Sequence, residues 1–170
     1  MKLLSTIVLI IATFKGGHGW NALRRRVSGE GPDYFQLYTD GPAVTGCLIV
    51  TVSKPRADQK LKLGNCDLPD QEWRLDTDFL YHTKLNDSMC MQAGRGGTPV
   101  HGTKLRIFPC DKNNTLQLFE GPLSQTFLGA IRLKNYPNLC VDWRGVNADI
   151  NQDPIIIKDC KNKNGGWSAD

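Results

Sequence analysis

Alternation with a period of two runs through this chain. Lys60-Leu61-Lys62-Leu63 and Lys104-Leu105-Arg106-Ile107-Phe108 place polar and apolar residues in turn, the period of a strand with one buried face. Cys47-Leu-Ile-Val-Thr-Val52 is apolar and β-branched, and Pro154-Ile-Ile-Ile157 fills the corresponding place further along. Turn-forming clusters separate these stretches: Gly94-Arg-Gly-Gly-Thr-Pro99, Asn113-Asn114 and residues 147–154. Composition points the same way. Gly, Pro, Asp and Asn supply 51 of 170 residues, whereas Ala supplies 8 and Glu 3. Such a chain is rich in turns and poor in helix formers. The expected class is all-β.

A threefold repeat organises the strands. The six cysteines fall into pairs separated by 19, 20 and 20 residues: Cys47 and Cys66, Cys90 and Cys110, Cys140 and Cys160. An aromatic follows each second cysteine, Trp73 at +7, Phe119 at +9 and Trp167 at +7. Two of these close a Gln-x-aromatic triplet, Gln71-Glu72-Trp73 and Gln117-Leu118-Phe119; the third reads Gly165-Gly166-Trp167. Repetition at 40 to 50 residues with about four short strands per unit gives about twelve strands. One unit is too small to bury a core, so the three must share one in a closed arrangement without exposed edges. The spacing predicts one disulfide inside each unit, each closing a loop of about 20 residues and worth roughly 3 kcal/mol. Free or metal-bound thiols are the competing reading, but no Cys-x-x-Cys or histidine set supports zinc.

Processing and compartment follow from the first residues. Lys2 precedes a short apolar run, residues 3–14, with Gly17 and Gly19 as small residues at a cleavage point. Residues 1–19 read as a secretory signal peptide, residues 20–32 as an N-terminal arm, and 33–170 as the folded domain with repeats near 33–76, 77–124 and 125–170. No run approaches the roughly 20 residues of a bilayer-spanning helix. An even cysteine count suits an exported, oxidised protein. The net charge of +4 falls to +2 once Lys2 and Lys15 are removed, too little to indicate a nucleic-acid or other polyanionic partner. Arg24, Arg25 and Arg26 form the one dense basic run, a propeptide cleavage point or a solvated arm. Asn86-Asp87-Ser88 and Asn113-Asn114-Thr115 fit the N-glycosylation acceptor pattern, making Asn86 and Asn113 candidate glycan carriers.

With three Gln-x-Trp-like triplets in register with three cysteine pairs, the chain resembles the ricin B-type lectin domain, a β-trefoil. The similarity covers roughly residues 33–168 and is strongest over residues 90–110 and 129–142. The resemblance implies sugar pockets built within single repeats. An Asp two residues after the first cysteine accepts bonds from sugar hydroxyls, an aromatic two before the second cysteine stacks on the sugar, and an Asn before the triplet completes the set. A carboxylate, an amide and a flat ring together orient a pyranose. Repeat 3 fits best, with Asp142 and Asn164, although Lys158 stands at the stacking position. Repeat 2 is weaker: Phe108 is present, Gln92 replaces the Asp, Leu116 the Asn, and Gln117 is retained. Repeat 1 has Ile49, Gly64 and Asp70 at these places, and no sugar pocket is expected there. Trp143, next to Asp142, faces the opposite way along a strand and is read as a packing residue.

The function expected from the resemblance is a secreted carbohydrate-binding module that recognises glycans, galactose-like residues among them, without catalysis. One good pocket binds weakly, so useful avidity would require self-association. The alternative is a degenerate trefoil serving protein–protein contact as an extracellular ligand or inhibitor. A third reading, the lectin part of a larger toxin or hydrolase, is disfavoured by the chain's ending at Asp170. No His-Glu-x-x-His, Gly-x-Ser-x-Gly or phosphate-loop pattern occurs. Three Glu and scattered turn-type Asp suggest no glycosidase carboxylate pair. No metal site, calcium loop or other cofactor is implied.

Overall fold

The computed structural model describes residues 34–40, 45–121, 129–143, 154–162 and 167–169, which fall in one unit of the chain, Gly31–Asp170. The expected signal peptide and arm lie outside the described residues. Among the described residues twelve strands follow one another, four from each repeat. Repeat 1 contributes β1 (Leu37–Asp40), β2 (Thr45–Val50), β3 (Gln59–Gly64) and β4 (Trp73–Leu75). Repeat 2 contributes β5 (Tyr81–Thr83), β6 (Asn86–Ala93), β7 (Leu105–Pro109) and β8 (Phe119–Glu120). Repeat 3 contributes β9 (Arg132–Leu133), β10 (Tyr136–Asp142), β11 (Ile156–Asp159) and β12 (Ser168–Ala169). A single 3-10 turn, Cys160–Asn162, is the helical element among the described residues.

The pairings repeat threefold. Each repeat has a central antiparallel hairpin, β2–β3, β6–β7 and β10–β11. Neighbouring repeats join through β4–β5 and β8–β9, and the chain closes on itself through β1–β12. The third strands of the three repeats meet one another. Gln59 pairs with Ile107, Lys62 with Pro154 and Lys104 with Ile156. Closure of this kind leaves few unpaired strand edges, which limits edge-to-edge association.

Cysteines Cys47–Cys66, Cys90–Cys110 and Cys140–Cys160 are bonded within their own repeats, with Cα–Cα distances of 5.0, 4.9 and 5.0 Å. No free cysteine is present. The shared core holds the three triplet aromatics, Trp73, Phe119 and Trp167, all fully buried, with Leu61, Ile107 and Ile157 from the third strands. A buried indole needs a partner for its N–H. Trp73 Nε1 donates to Leu48 O at 2.9 Å, and Trp167 Nε1 donates to Val141 O at 2.8 Å. Both acceptors lie one residue past the first cysteine of their repeat. Trp143 packs edge-on against Trp167 at 5.9 Å between ring centroids, the packing role expected for it.

Candidate functional site: three equivalent positions

Each central hairpin presents the position two residues past its first cysteine, and the threefold frame brings the three into comparison. In repeat 3 this is Asp142, on β10 opposite Ile156 of β11. Its Oδ1 accepts from the Trp143 N–H at 2.8 Å, and its Oδ2 lies 3.6 Å from Lys158 Nζ. Lys158 stands opposite Cys140, one strand step diagonal to Asp142 on the same face. Asp142 is 0 % exposed and Lys158 7 %. The residue that occupies the stacking position therefore places a cation beside the buried carboxylate. Asn164 lies outside the described residues.

In repeat 2 the position holds Gln92, buried on β6 opposite Arg106. Its Oε1 accepts from Asn114 Nδ2 and from Gln117 Nε2, both at 2.9 Å. Its Nε2 donates to Gly94 O at 3.0 Å. Gln117 also donates to Pro109 O at 3.0 Å and accepts from Asp111 N at 2.9 Å. Gln92 and Gln117 are thus held together in one bonded network. Phe108 is half-buried on β7, opposite Cys90. Asn114 was missed in the sequence because the family spacing points to Leu116. A tight turn, with Asn114 N donating to Asp111 O and Gln117 N to Asn114 O, carries Asn114 back to Gln92. The Asn113-Asn114 pair was visible only as a turn and an acceptor tripeptide.

In repeat 1 the position holds Ile49, 2 % exposed, opposite Lys62. No sugar pocket is expected here, yet an open cleft of ≈ 530 Å³ lies at this place. The loop after β2 and the Leu68–Gln71 segment stand apart around it. Gln71 Oε1 accepts from Val50 N at 2.7 Å and fixes one wall. Asp70, at the place of the family's Asn, has φ 58° and sits 3.6 Å from Lys84 Nζ.

The acceptor asparagines are both exposed. Asn86 begins β6, and its Oδ1 accepts from Ser88 N and Ser88 Oγ; Asn113 lies in the turn after Cys110. Among the described residues one grouping has metal-ligand types close together, His82 with Cys90 and Cys110. Both sulfurs are joined in the disulfide, so the grouping offers no thiolate. His82 instead spans Asp76 Oδ2 at 2.7 Å and Asp87 O at 2.8 Å.

Solved structures share this architecture. The C-terminal half of an earthworm R-type lectin, in complex with GalNAc, superimposes with a TM-score of 0.62 at 15 % identity, covering 82 % of this chain and 98 % of that one. The fold is a β-trefoil. A non-toxic homologue of type II RIPs from bitter gourd (Momordica charantia), in complex with α-methyl-D-galactoside, gives a TM-score of 0.59 at 19 % identity. The match covers 81 % of this chain and 48 % of that one, so this chain spans about half of that protein. The β-trefoil lectin of the Vibrio vulnificus hemolysin/cytolysin, with N-acetyl-D-lactosamine bound, gives 0.51 at 13 % identity, covering 80 % and 93 %. No protein-family model and no curated protein matches the sequence. No described helix is long and apolar enough to cross a membrane.

Proposed function

We propose that this protein is a secreted carbohydrate-binding module that acts by recognition alone, with its principal pocket in repeat 3 around Asp142, Lys158 and Asn164. One observation carries the reading. The hairpin position holding Asp142 is filled by Ile49 and Gln92 in the other repeats, so the trefoil frame does not need a charge there. Burying a carboxylate and an ammonium costs several kcal/mol of lost hydration, and folding alone gives no return at a place where isoleucine serves. A sugar supplies the missing role, since its hydroxyls can donate to Asp142 and accept from Lys158. Asp142 is covered in the structure, so a hydroxyl reaches it only when that cover shifts.

Repeat 2 is the weaker site in this reading. Phe108 offers a ring face, while Gln92 and Gln117 are already engaged with each other and with Asn114. Galactose-type residues are the first candidates because the structural neighbours hold GalNAc, α-methyl-D-galactoside and N-acetyl-D-lactosamine. Residues 1–19 serve as the export signal, and Asn86 and Asn113, both exposed, carry glycans if the host glycosylates the chain.

A glycan array tests the reading. Galactose-terminated glycans are retained by the native chain and lost by Asp142→Ala, with circular dichroism unchanged. Binding that survives Asp142→Ala overturns the repeat 3 assignment. No binding to any glycan favours the trefoil as a protein-contact module.

A further inference from the structure

We propose that the cleft on repeat 1 is a second, chemically different site that takes an amphipathic anion: an aliphatic body over Ile49, Val52 and Leu68, with its anionic group toward Lys54 and Arg56. The cleft's volume of ≈ 530 Å³ lies within the range of small-molecule sites. Its floor is apolar at the position where the other repeats carry Gln92 and Asp142, so it lacks the group that would order sugar hydroxyls. Three large hydrophobic side chains are exposed among the described residues, Val52 at 43 %, Leu68 at 40 % and Val100. Two of the three line this one cleft. Apolar side chains gathered at the mouth of an apolar-floored hollow mark an interaction site better than the same residues scattered singly.

Charge fixes the polarity of the occupant. A second hollow of ≈ 540 Å³ adjoins the first through Val52 and Ser53 and is lined by Lys54, Arg56 and Gln59. Lys54 and Arg56 are exposed, and neither forms an ion pair among the described residues. Gln59 ties this basic end to the cleft wall. Its Nε2 donates to Thr51 Oγ1 at 3.0 Å, and its Oε1 accepts from Arg56 N at 3.4 Å. Asp70 also lines the cleft, 3.6 Å from Lys84 Nζ, which bonds more closely to Glu72. Exposed apolar side chains at the cleft and unpaired cations in the adjoining hollow match a ligand with an apolar tail and one negative head.

Sodium decanoate is the probe, with decan-1-ol as its neutral analogue, followed by amide shifts of the full chain in a ¹⁵N–¹H correlation spectrum. Decanoate should give saturable shifts at Ile49, Thr51, Val52 and Leu68. Decan-1-ol should bind about fivefold more weakly, the contribution of an exposed charge pair. The double change V52S/L68S, at two exposed positions that leave the core intact, should weaken decanoate about tenfold through lost apolar contact. K54E/R56E should abolish the preference for decanoate, and Asp142→Asn should leave binding unchanged. The proposal is overturned by no saturable shift, by equal affinity for the alcohol, by indifference to V52S/L68S, or by displacement with galactose. The result is separable from the sugar reading, because a chain that ignores every glycan should still bind decanoate here.

Discussion

Repeats 1 and 3 share a frame and differ in what they place on it. In both, an indole N–H reaches the carbonyl one residue past the first cysteine, Leu48 O and Val141 O. In both, the disulfide holds its strands at a Cα–Cα distance of 5.0 Å. Two residues past that cysteine the likeness ends. Repeat 1 has Ile49 with Gly64 near it across the hairpin, and repeat 3 has Asp142 with Lys158. The frame is set by sulfur, indole and strand pairing, and the neighbouring ladder positions are released for chemistry. Function resides in such positions and not in the fold.

The largest effect expected comes from stripping the cation of repeat 3. Lys158→Met leaves a fully buried carboxylate without its ammonium and should lower unfolding free energy by about 3 kcal/mol in urea titration. A loss near zero would mean that Asp142 and Lys158 do not interact energetically, and the contrast with repeat 1 would lose its meaning. The frame itself is tested next. Trp73→Phe and Trp167→Phe copy the Phe119 of repeat 2 but remove the indole donor from Leu48 O and Val141 O. Each should cost about 1.5 kcal/mol, and the two costs should agree. A wide disagreement would show that the repeats are not equivalent in their frame.

A smaller effect of opposite sign is expected at Tyr81. Its ring is fully buried against Phe35 and Phe119, and its hydroxyl has no hydrogen-bond partner among the described residues. Burial pushes the phenol well above its ordinary value. Tyr81→Phe removes the unpaired hydroxyl and should raise stability by about 1 kcal/mol, read as a higher Tm. The hydroxyl also explains Gly121, where a Cβ would fall 2.0 Å from it.

The smallest effect concerns the clasp between repeats 1 and 2. Asp58, at φ 70°, accepts from Arg95 and Arg106. The hydrogen bond from Arg95, with the charge of Arg106 behind it, holds the Asp58 carboxyl below the usual carboxylate range. A lowered native value means that the contribution is present above the unfolded carboxylate's titration, near pH 4. It is lost as pH falls through the native value. Asp58→Asn keeps a residue that tolerates positive φ and should flatten part of the fall in Tm below pH 4. An unchanged acid profile would remove Asp58 from the account.

The frame was legible in the sequence because its causes are covalent or periodic. Cysteine separations near 20 fit one hairpin each, and the triplet aromatics recur where a shared core needs them. The partnership of Asp142 with Lys158 was half legible. Lys158 was visible as a departure from a stacking aromatic, but its diagonal approach to Asp142 depends on the β10–β11 register. Asn114 escaped because a turn, not a strand, delivers it to Gln92. The repeat 1 cleft escaped for a related reason. It opens between two loops whose separation no periodicity encodes, and Ile49 alone suggested only the loss of a sugar ligand.

The most direct test converts repeat 3 toward the pattern of repeat 1 and reads two quantities together. In Asp142→Ile combined with Lys158→Met, apolar side chains replace the buried charge pair, an exchange that is often neutral or stabilising. The account predicts stability within about 1 kcal/mol of the native chain, together with complete loss of glycan retention. A double variant that still holds galactose-terminated glycans, or that unfolds as readily as Lys158→Met alone, would contradict it.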